Sequence, residues 1–167
     1  MFRLSRRDYS VADLRRSLLR AGHAKDTIAE AIERLSAQRA LDDERYAAGF
    51  ARTRLAYHGV GRNRIRMALR QKGVARETAE KGLAEALAAR PESEAIEAAA
   101  RRLIRQYARE EPRKRLAKIF AALLRRGFPV SMVRERLAVL QPGCRDMLED
   151  YGVAAAEMDS DPFRDSD

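Results

Sequence analysis

Apolar residues recur at three- and four-residue spacing through Val11, Leu14, Leu18 and Leu19, and again through Ile28, Ile32 and Leu35, while no stretch of useful length alternates with period two. The pattern is helical. Helix ends follow from their punctuation: Ser10 with Asp13 three residues later makes a capping-box-like start, and Gly22 supplies a left-handed stop. The same reasoning predicts helices at about 11–21, 25–38, 43–57, 62–72, 76–89, 93–109, 113–126 and 131–140. Pro91, Pro112, Pro129 and Pro142 all fall between these stretches, where a missing amide and a fixed φ do no harm. With no Trp, few β-branched residues and an abundance of Ala, Leu, Arg and Glu, the chain reads as all-α.

Internal similarity sharpens this picture. Residues 14–32 (LRRSLLRAGHAKDTIAEAI), 65–83 (IRMALRQKGVARETAEKGL) and 119–137 (IFAALLRRGFPVSMVRERL) align without a gap, matching Leu14, Ile65 and Ile119; Leu18, Leu69 and Leu123; Gly22, Gly73 and Gly127; and Ile32, Leu83 and Leu137. Each copy is a helix, a glycine stop and a second helix that folds its apolar stripe back on the first. A third helix follows the first two copies, starting at Asp43 and Ser93 and ending in Tyr57 and Tyr107. The sequence therefore predicts three tandem three-helix, helix-turn-helix-like repeats in an elongated, curved array. Their bounds are a lead at 1–9, repeats at 10–58, 59–110 and 111–150, the last with a partial final helix, and an acidic, disordered tail at 151–167.

Charge adds a partner class. Residues 1–143 hold 32 Lys and Arg against 17 Asp and Glu, whereas residues 144–167 hold 2 against 8, so a basic body ends in an acidic tail. Only five of the 34 basic residues are Lys, and the planar fork of Arg suits phosphates and carboxylates. The choice of Arg over Lys has two readings, a phosphate- or carboxylate-binding role or an Arg- and Ala-rich genome writing solvated faces; the genome does not account for the surplus, which points to a polyanion. The richest cluster is YHGVGRNRIRMALRQKG, where Arg62, Arg66 and Arg70 form a stripe, with Arg64 and Lys72 nearby and glycines ahead of a helix start. Further candidate patches are Arg15, Arg16 and Arg20; Arg101, Arg102, Arg105 and Arg109; and Arg113, Lys114, Arg115, Lys118, Arg125 and Arg126. The second helices of the units carry mostly Ala, Glu and Ser, so sequence-specific base readout is expected to be weak.

No enzyme emerges from the residues. His23 and His58 lie beside the helix-terminating Gly22 and Gly59, and no Ser/His/Asp spacing, HExxH or GxxxxGK[ST] motif is present. Asp42 and Asp43 precede a helix, where capping free amides outweighs metal binding, and Tyr46 and Phe50 read as core before base-stacking platform. No cofactor or metal is expected. The single Cys144 forms no internal disulfide, the opening MFRLSRRDYS lacks a signal-peptide core, and Arg or Lys interrupts every apolar run before the roughly 18 residues of a membrane span, so a soluble, cytoplasmic protein is expected.

LDDERYA at 41–47, followed by GVGRNRIRMALRQKGV at 59–74 and set among the three tandem units, resembles the bacterial RecX proteins, modulators of the RecA recombinase; the match covers about residues 9–140. The resemblance implies a noncatalytic regulator of homologous recombination and DNA repair that binds the RecA filament on DNA along its groove. It implies an effect, most often inhibitory, on filament extension, ATP hydrolysis and strand exchange. Carried over by motif, Asp42, Asp43, Tyr46 and Ala47 are the fold signature, and Arg62, Arg64, Ile65, Leu69, Lys72 and Gly73 the second-repeat signature. The expected partners are the RecA filament and single- and double-stranded DNA without sequence preference, met as a monomer. A stand-alone helix-turn-helix DNA-binding protein, which usually works as a symmetric dimer, is the alternative, and a helical adaptor indifferent to nucleic acid is a third. Residues 144–167 either compete in cis for the basic face or are an inert solubilising end, and deleting them distinguishes the two through DNA affinity and its salt dependence.

Overall fold

A computed structural model describes residues 9–144 and 146–148. Eight α-helices follow one another among these residues: α1 Val11–Arg20, α2 Lys25–Ala37, α3 Asp43–His58, α4 Arg62–Gln71, α5 Arg76–Ala89, α6 Glu92–Gln106, α7 Pro112–Arg125 and α8 Val130–Leu140, then a 3-10 turn at Pro142–Cys144. The chain is all-α, as its periodicity requires. Helix ends fall within a residue of the expected ones except for α6, which stops at Gln106 where Tyr107 leaves the helical region. Gly22, Gly73 and Gly127, aligned by the repeat, all take positive φ (85°, 73° and 85°) and turn the chain between the two helices of each pair.

The packing assigns the long helices. α3 lies most extensively on α5, and Ala47, Ala48 and Ala51 of the one and Ala79, Gly82 and Ala86 of the other are all buried. A Cβ placed on Gly82 falls 2.6 Å from the Ala47 Cβ, so the small residues let the two backbones approach closely. α6 packs on both α7 and α8, which also pack on each other. The packed groups are therefore α1–α2, α3–α5 and α6–α8: each long helix joins the pair that follows it, one helix out of phase with divisions at 58/59 and 110/111. The expected partial helix after α8 lies mainly outside the described residues, as does the acidic tail from residue 149 onward.

Two cores result. A continuous one runs from Tyr46 to Leu148 through Leu55, Ile65, Leu69, Leu83, Ile96, Ile119, Leu123, Phe128 and Leu137. A small separate one joins α1 and α2 through Leu14, Ile28, Ile32 and Leu41. Among the described residues no helix is long and apolar enough to cross a membrane.

Candidate polyanion-facing surface

The groups meet at two joints built to one plan. In each, the turn of a later helix pair abuts the first turn of an earlier one. At the first joint the Ser10 hydroxyl donates to the Lys72 carbonyl (2.6 Å) and the Val11 amide donates to Asp43 Oδ1 (2.9 Å). At the second the Gly61 amide donates to the Arg126 carbonyl (2.8 Å), the Asn63 amide to the Gly127 carbonyl (3.1 Å), and the Arg62 amide to Glu92 Oε1 (2.7 Å). Asp43 and Glu92 each open a long helix, and each satisfies an amide at the start of the preceding helix pair, one of the donors that a helix N-terminus leaves unpaired. Asp42 is the N-cap of α3, accepting from the Glu44 and Arg45 amides (2.9 and 3.0 Å).

This architecture consumes part of the basic stripe. Arg62 forms an ion pair with Glu92, which is only 3% exposed, and Arg66 binds both carboxylate oxygens of Glu80 (2.6 and 3.0 Å). Lys72 pairs with Asp13 (2.8 Å), and Arg101 with Glu97 (2.8 Å), which also holds Arg136. Arg113 and Lys114 lie in the first turn of α7, where their amides donate to the Glu111 carboxylate. Arg70 and Arg105 are exposed. The spacing of Arg62, Arg66 and Arg70 gave no sign of the acids facing them, because Glu80 and Glu92 lie on other helices.

A trough remains, crossing all three groups. Between the second and third it is a hollow of about 740 Å³ lined by Phe50, Arg54, Arg64, Met67, Leu124 and Arg125. Phe50 and Arg54 also line a second hollow of about 560 Å³ that reaches Arg16, Arg20, Thr53 and Lys72 at the first joint. Tyr46 is buried and stacks on Phe50 at 6.0 Å between ring centroids, and the Arg54 guanidinium lies 5.0 Å above the Phe50 ring. Tyr46 is thus core, as its spacing suggested, while Phe50 forms trough wall. Arg54 escaped the sequence reading; the signal available was its position one helical turn after Phe50. Of the expected basic residues, the trough gathers Arg16, Arg20, Arg64, Lys72 and Arg125. Arg126 lies at the second joint, with its Nη1 3.5 Å from the Gly59 carbonyl. No group of three or more His, Cys, Asp or Glu among the described residues could hold a metal ion.

The first joint carries a pH signature. Burial pushes the Asp13 carboxyl up, but hydrogen bonds and charge from Lys72 and Arg16 outweigh it and hold the group below 3.8. The hydrogen bond from Asp13 outweighs burial at Lys72 and raises its ammonium above 10.5. A carboxyl depressed on folding adds stability above its unfolded value that is lost as pH falls through the folded one; a raised ammonium adds stability below 10.5 that is lost as pH rises through its folded value. Asp43 opposes Asp13: burial and the nearby Asp42 and Asp13 charges push it up despite the Val11 amide, so its charge costs stability as pH rises through the acid range. Asp13→Asn is expected to return Lys72 toward its ordinary titration and to speed amide exchange at the start of α1 relative to the α5 core. An NMR titration of the Lys72 side chain with parallel hydrogen exchange reads both, and unchanged values would show that the pair does not hold the joint.

Helix pairs repeated three times, joined turn to start and flanked by long helices, define a tandem helix-turn-helix repeat protein. Family profiles match the chain in the same phase as the packing: RecX, first three-helix domain at residues 3–35; RecX, second three-helix domain at 42–83; and RecX, third three-helix domain at 91–137. The chain is 38% identical over 135 residues to the regulatory protein RecX of Chromohalobacter salexigens, covering 81% of this chain and 86% of that protein. It is 31% identical over 131 residues to that of Prosthecochloris aestuarii, covering 78% and 83%. Identity to the Actinobacillus pleuropneumoniae protein is 43% over 74 residues, 44% of this chain, so the chain spans about half (48%) of that relative's length. The chain belongs to the RecX family of regulatory proteins. The solved RecX of Lactobacillus salivarius shares its fold, with a TM-score of 0.66 at 22% identity and coverage of 89% of this chain and 88% of that one. A second crystal structure of regulatory protein RecX gives a TM-score of 0.70 at 26% identity, covering 80% and 65%.

Proposed function

We propose that this chain is a noncatalytic cytoplasmic regulator that binds the RecA filament on DNA and lowers its extension, ATP hydrolysis and strand exchange. The observation that carries the reading is the trough of the family member described above: its cations come from all three packed groups, and apolar wall lies between them. Arg20, Arg54 and Arg125 reach phosphates or acidic side chains from three different elements, and contacts too weak singly add through effective concentration. Met67, 49% exposed, offers apolar contact on the same face. In this reading binding follows backbone and filament shape without sequence preference, and the protein acts as a monomer.

The test is the single-stranded-DNA-dependent ATP hydrolysis rate of the cognate RecA, titrated with this protein from far below stoichiometry to parity. Inhibition well below one molecule per recombinase is expected, weakened in an Arg20→Gln/Arg54→Gln/Arg125→Gln variant and retained in Arg101→Gln, which lies outside the trough. Inhibition only at concentrations that coat the DNA would replace the filament reading with simple competition for the strand. The triple variant is also expected to flatten the plot of log affinity for single-stranded DNA against log salt by about 2, at roughly 0.7 per lost phosphate contact.

A further inference from the structure

The two joints share a plan but differ in charge. The aligned repeats place Asp13 and Arg64 at equivalent positions, and likewise Lys72 and Arg126. The first joint therefore closes on the attractive pair Asp13–Lys72 (2.8 Å), and the second brings two arginines to the same two places. The backbones bring these arginines together: a Cβ on Gly127 falls 2.3 Å from the Arg64 amide nitrogen, which fixes Arg64 beside the residue that follows Arg126. Arg126 reaches across Gly59, whose Cβ position lies 3.6 Å from Arg126 Nη1 and 3.7 Å from the Ala99 Cβ. Arg102 stands one helical turn beyond Ala99 on α6, and counting from the first residue of each long helix it occupies the place that the neutral Thr53 has in α3.

Three cations thus converge where the first joint has an acid, a lysine and a threonine. Among the described residues none of the three pairs with a carboxylate. Arg64 donates to the Arg125 carbonyl (2.7 Å) and Arg126 to the Gly59 carbonyl (3.5 Å), both backbone oxygens, and among the described residues Arg102 makes no hydrogen bond. Burial, with the charges of Arg102 and Arg64 beside it, pushes the Arg126 guanidinium down from its ordinary value, the mark of a cation lacking its counterion.

We propose that Arg64, Arg102 and Arg126 form a seat for one phosphate group at the joint between the second and third packed groups. The ligand supplies from outside the negative charge that Asp13 supplies within the first joint. Arg64 stands on α4, Arg102 on α6 and Arg126 at the end of α7, so a bound phosphate ties the third group to the second as well as holding a ligand. The inference deepens the nucleic-acid reading above, with a DNA phosphodiester as the larger ligand, and the chemistry is the same for free phosphate.

Thermal unfolding of the full chain in sodium phosphate and in sodium chloride of equal ionic strength tests the seat without DNA. The wild-type protein is expected to melt higher in phosphate by on the order of 3 °C when phosphate is about tenfold above its Kd. Arg126→Gln and, separately, Arg102→Gln are expected to remove that increment. Arg102→Gln breaks no hydrogen bond among the described residues, so a folding defect does not obscure it, and its melting point in chloride is expected to stay level or rise as repulsion is relieved. Arg34→Gln, on α2 in the first packed group, keeps the increment. No increment in the wild type, or one that survives Arg102→Gln, overturns the seat. A second arm measures single-stranded oligonucleotide binding against salt: a slope flatter by about 0.7 in Arg102→Gln assigns the seat to DNA backbone. An unchanged slope with the phosphate increment lost assigns it to free phosphate, and absence of DNA binding in the wild type removes the nucleic-acid reading while the phosphate arm still decides the seat.

Discussion

Gly127→Ala is expected to destabilise the protein by about 3 kcal/mol, combining roughly 1–2 for a left-handed backbone and about 1–3 for overpacking. Gly127 has φ of +85°, and its Cβ would fall 2.3 Å from the Arg64 amide nitrogen and 2.5 Å from the Arg64 Cβ. Neither neighbour gives way easily, since one is backbone in the first turn of α4 and the other is fixed to it. Gly22 provides the control: it has the same φ of +85° and nothing within 4 Å of its Cβ position. Gly22→Ala is expected to carry only the backbone cost of about 1–2 kcal/mol. Urea unfolding of both variants, with the wild-type m-value as a check on two-state behaviour, separates strain from joint contact. Equal losses would show that the second joint opens freely to admit a methyl group.

Glu92→Ala is expected to cost about 2–4 kcal/mol, because it removes an amide cap and an ion-pair partner from a buried position at once. Glu92 has the lowest exposure of the paired acids and accepts from both the Arg62 amide and the Arg62 guanidinium. Glu92→Gln keeps an acceptor for the amide and is expected to lose about half as much. Arg62→Ala leaves the buried carboxylate without its partner, so its loss of activity would reflect a loosened joint more than a missing polyanion contact. Melting temperatures of the three variants check the order, and an Arg62→Ala protein as stable as wild type would return Arg62 to the list of free surface cations.

Val11, Leu14 and Leu18 mark the buried stripe of α1, and the Ser10–Asp13 start predicts its cap; the structure keeps both, with the Asp13 amide donating to Ser10 Oγ (3.1 Å). These features depend on neighbours within one helical turn, where spacing and stereochemistry suffice. The fate of Arg66 depends on Glu80, which is 14 residues away on α5, and that of Arg62 on Glu92, 30 residues away on α6. Periodicity places such residues on a face; it cannot name the face opposite. Arg54 shows the same limit from the other side, an arginine in no basic run that joins the trough because α3 crosses between two joints.

By itself, the sequence determined the eight helices, the glycine stops between them, the threefold repeat of the pair, the basic surplus and the family. Each rests on local periodicity, on backbone preferences of single residues, or on recurrence along the chain. Only the tertiary structure decided that α3 belongs with α5, because in a tandem array a long helix has a pair on either side, and the choice rests on Ala47 and Ala48 reaching the bare backbone at Gly82. The same holds for charge. Asp13 and Lys72 neutralise one joint while Arg64, Arg102 and Arg126 leave the other cationic, since an electrostatic interaction is set by distance in space and by the water excluded between the charges, quantities that exist only once the chain has folded.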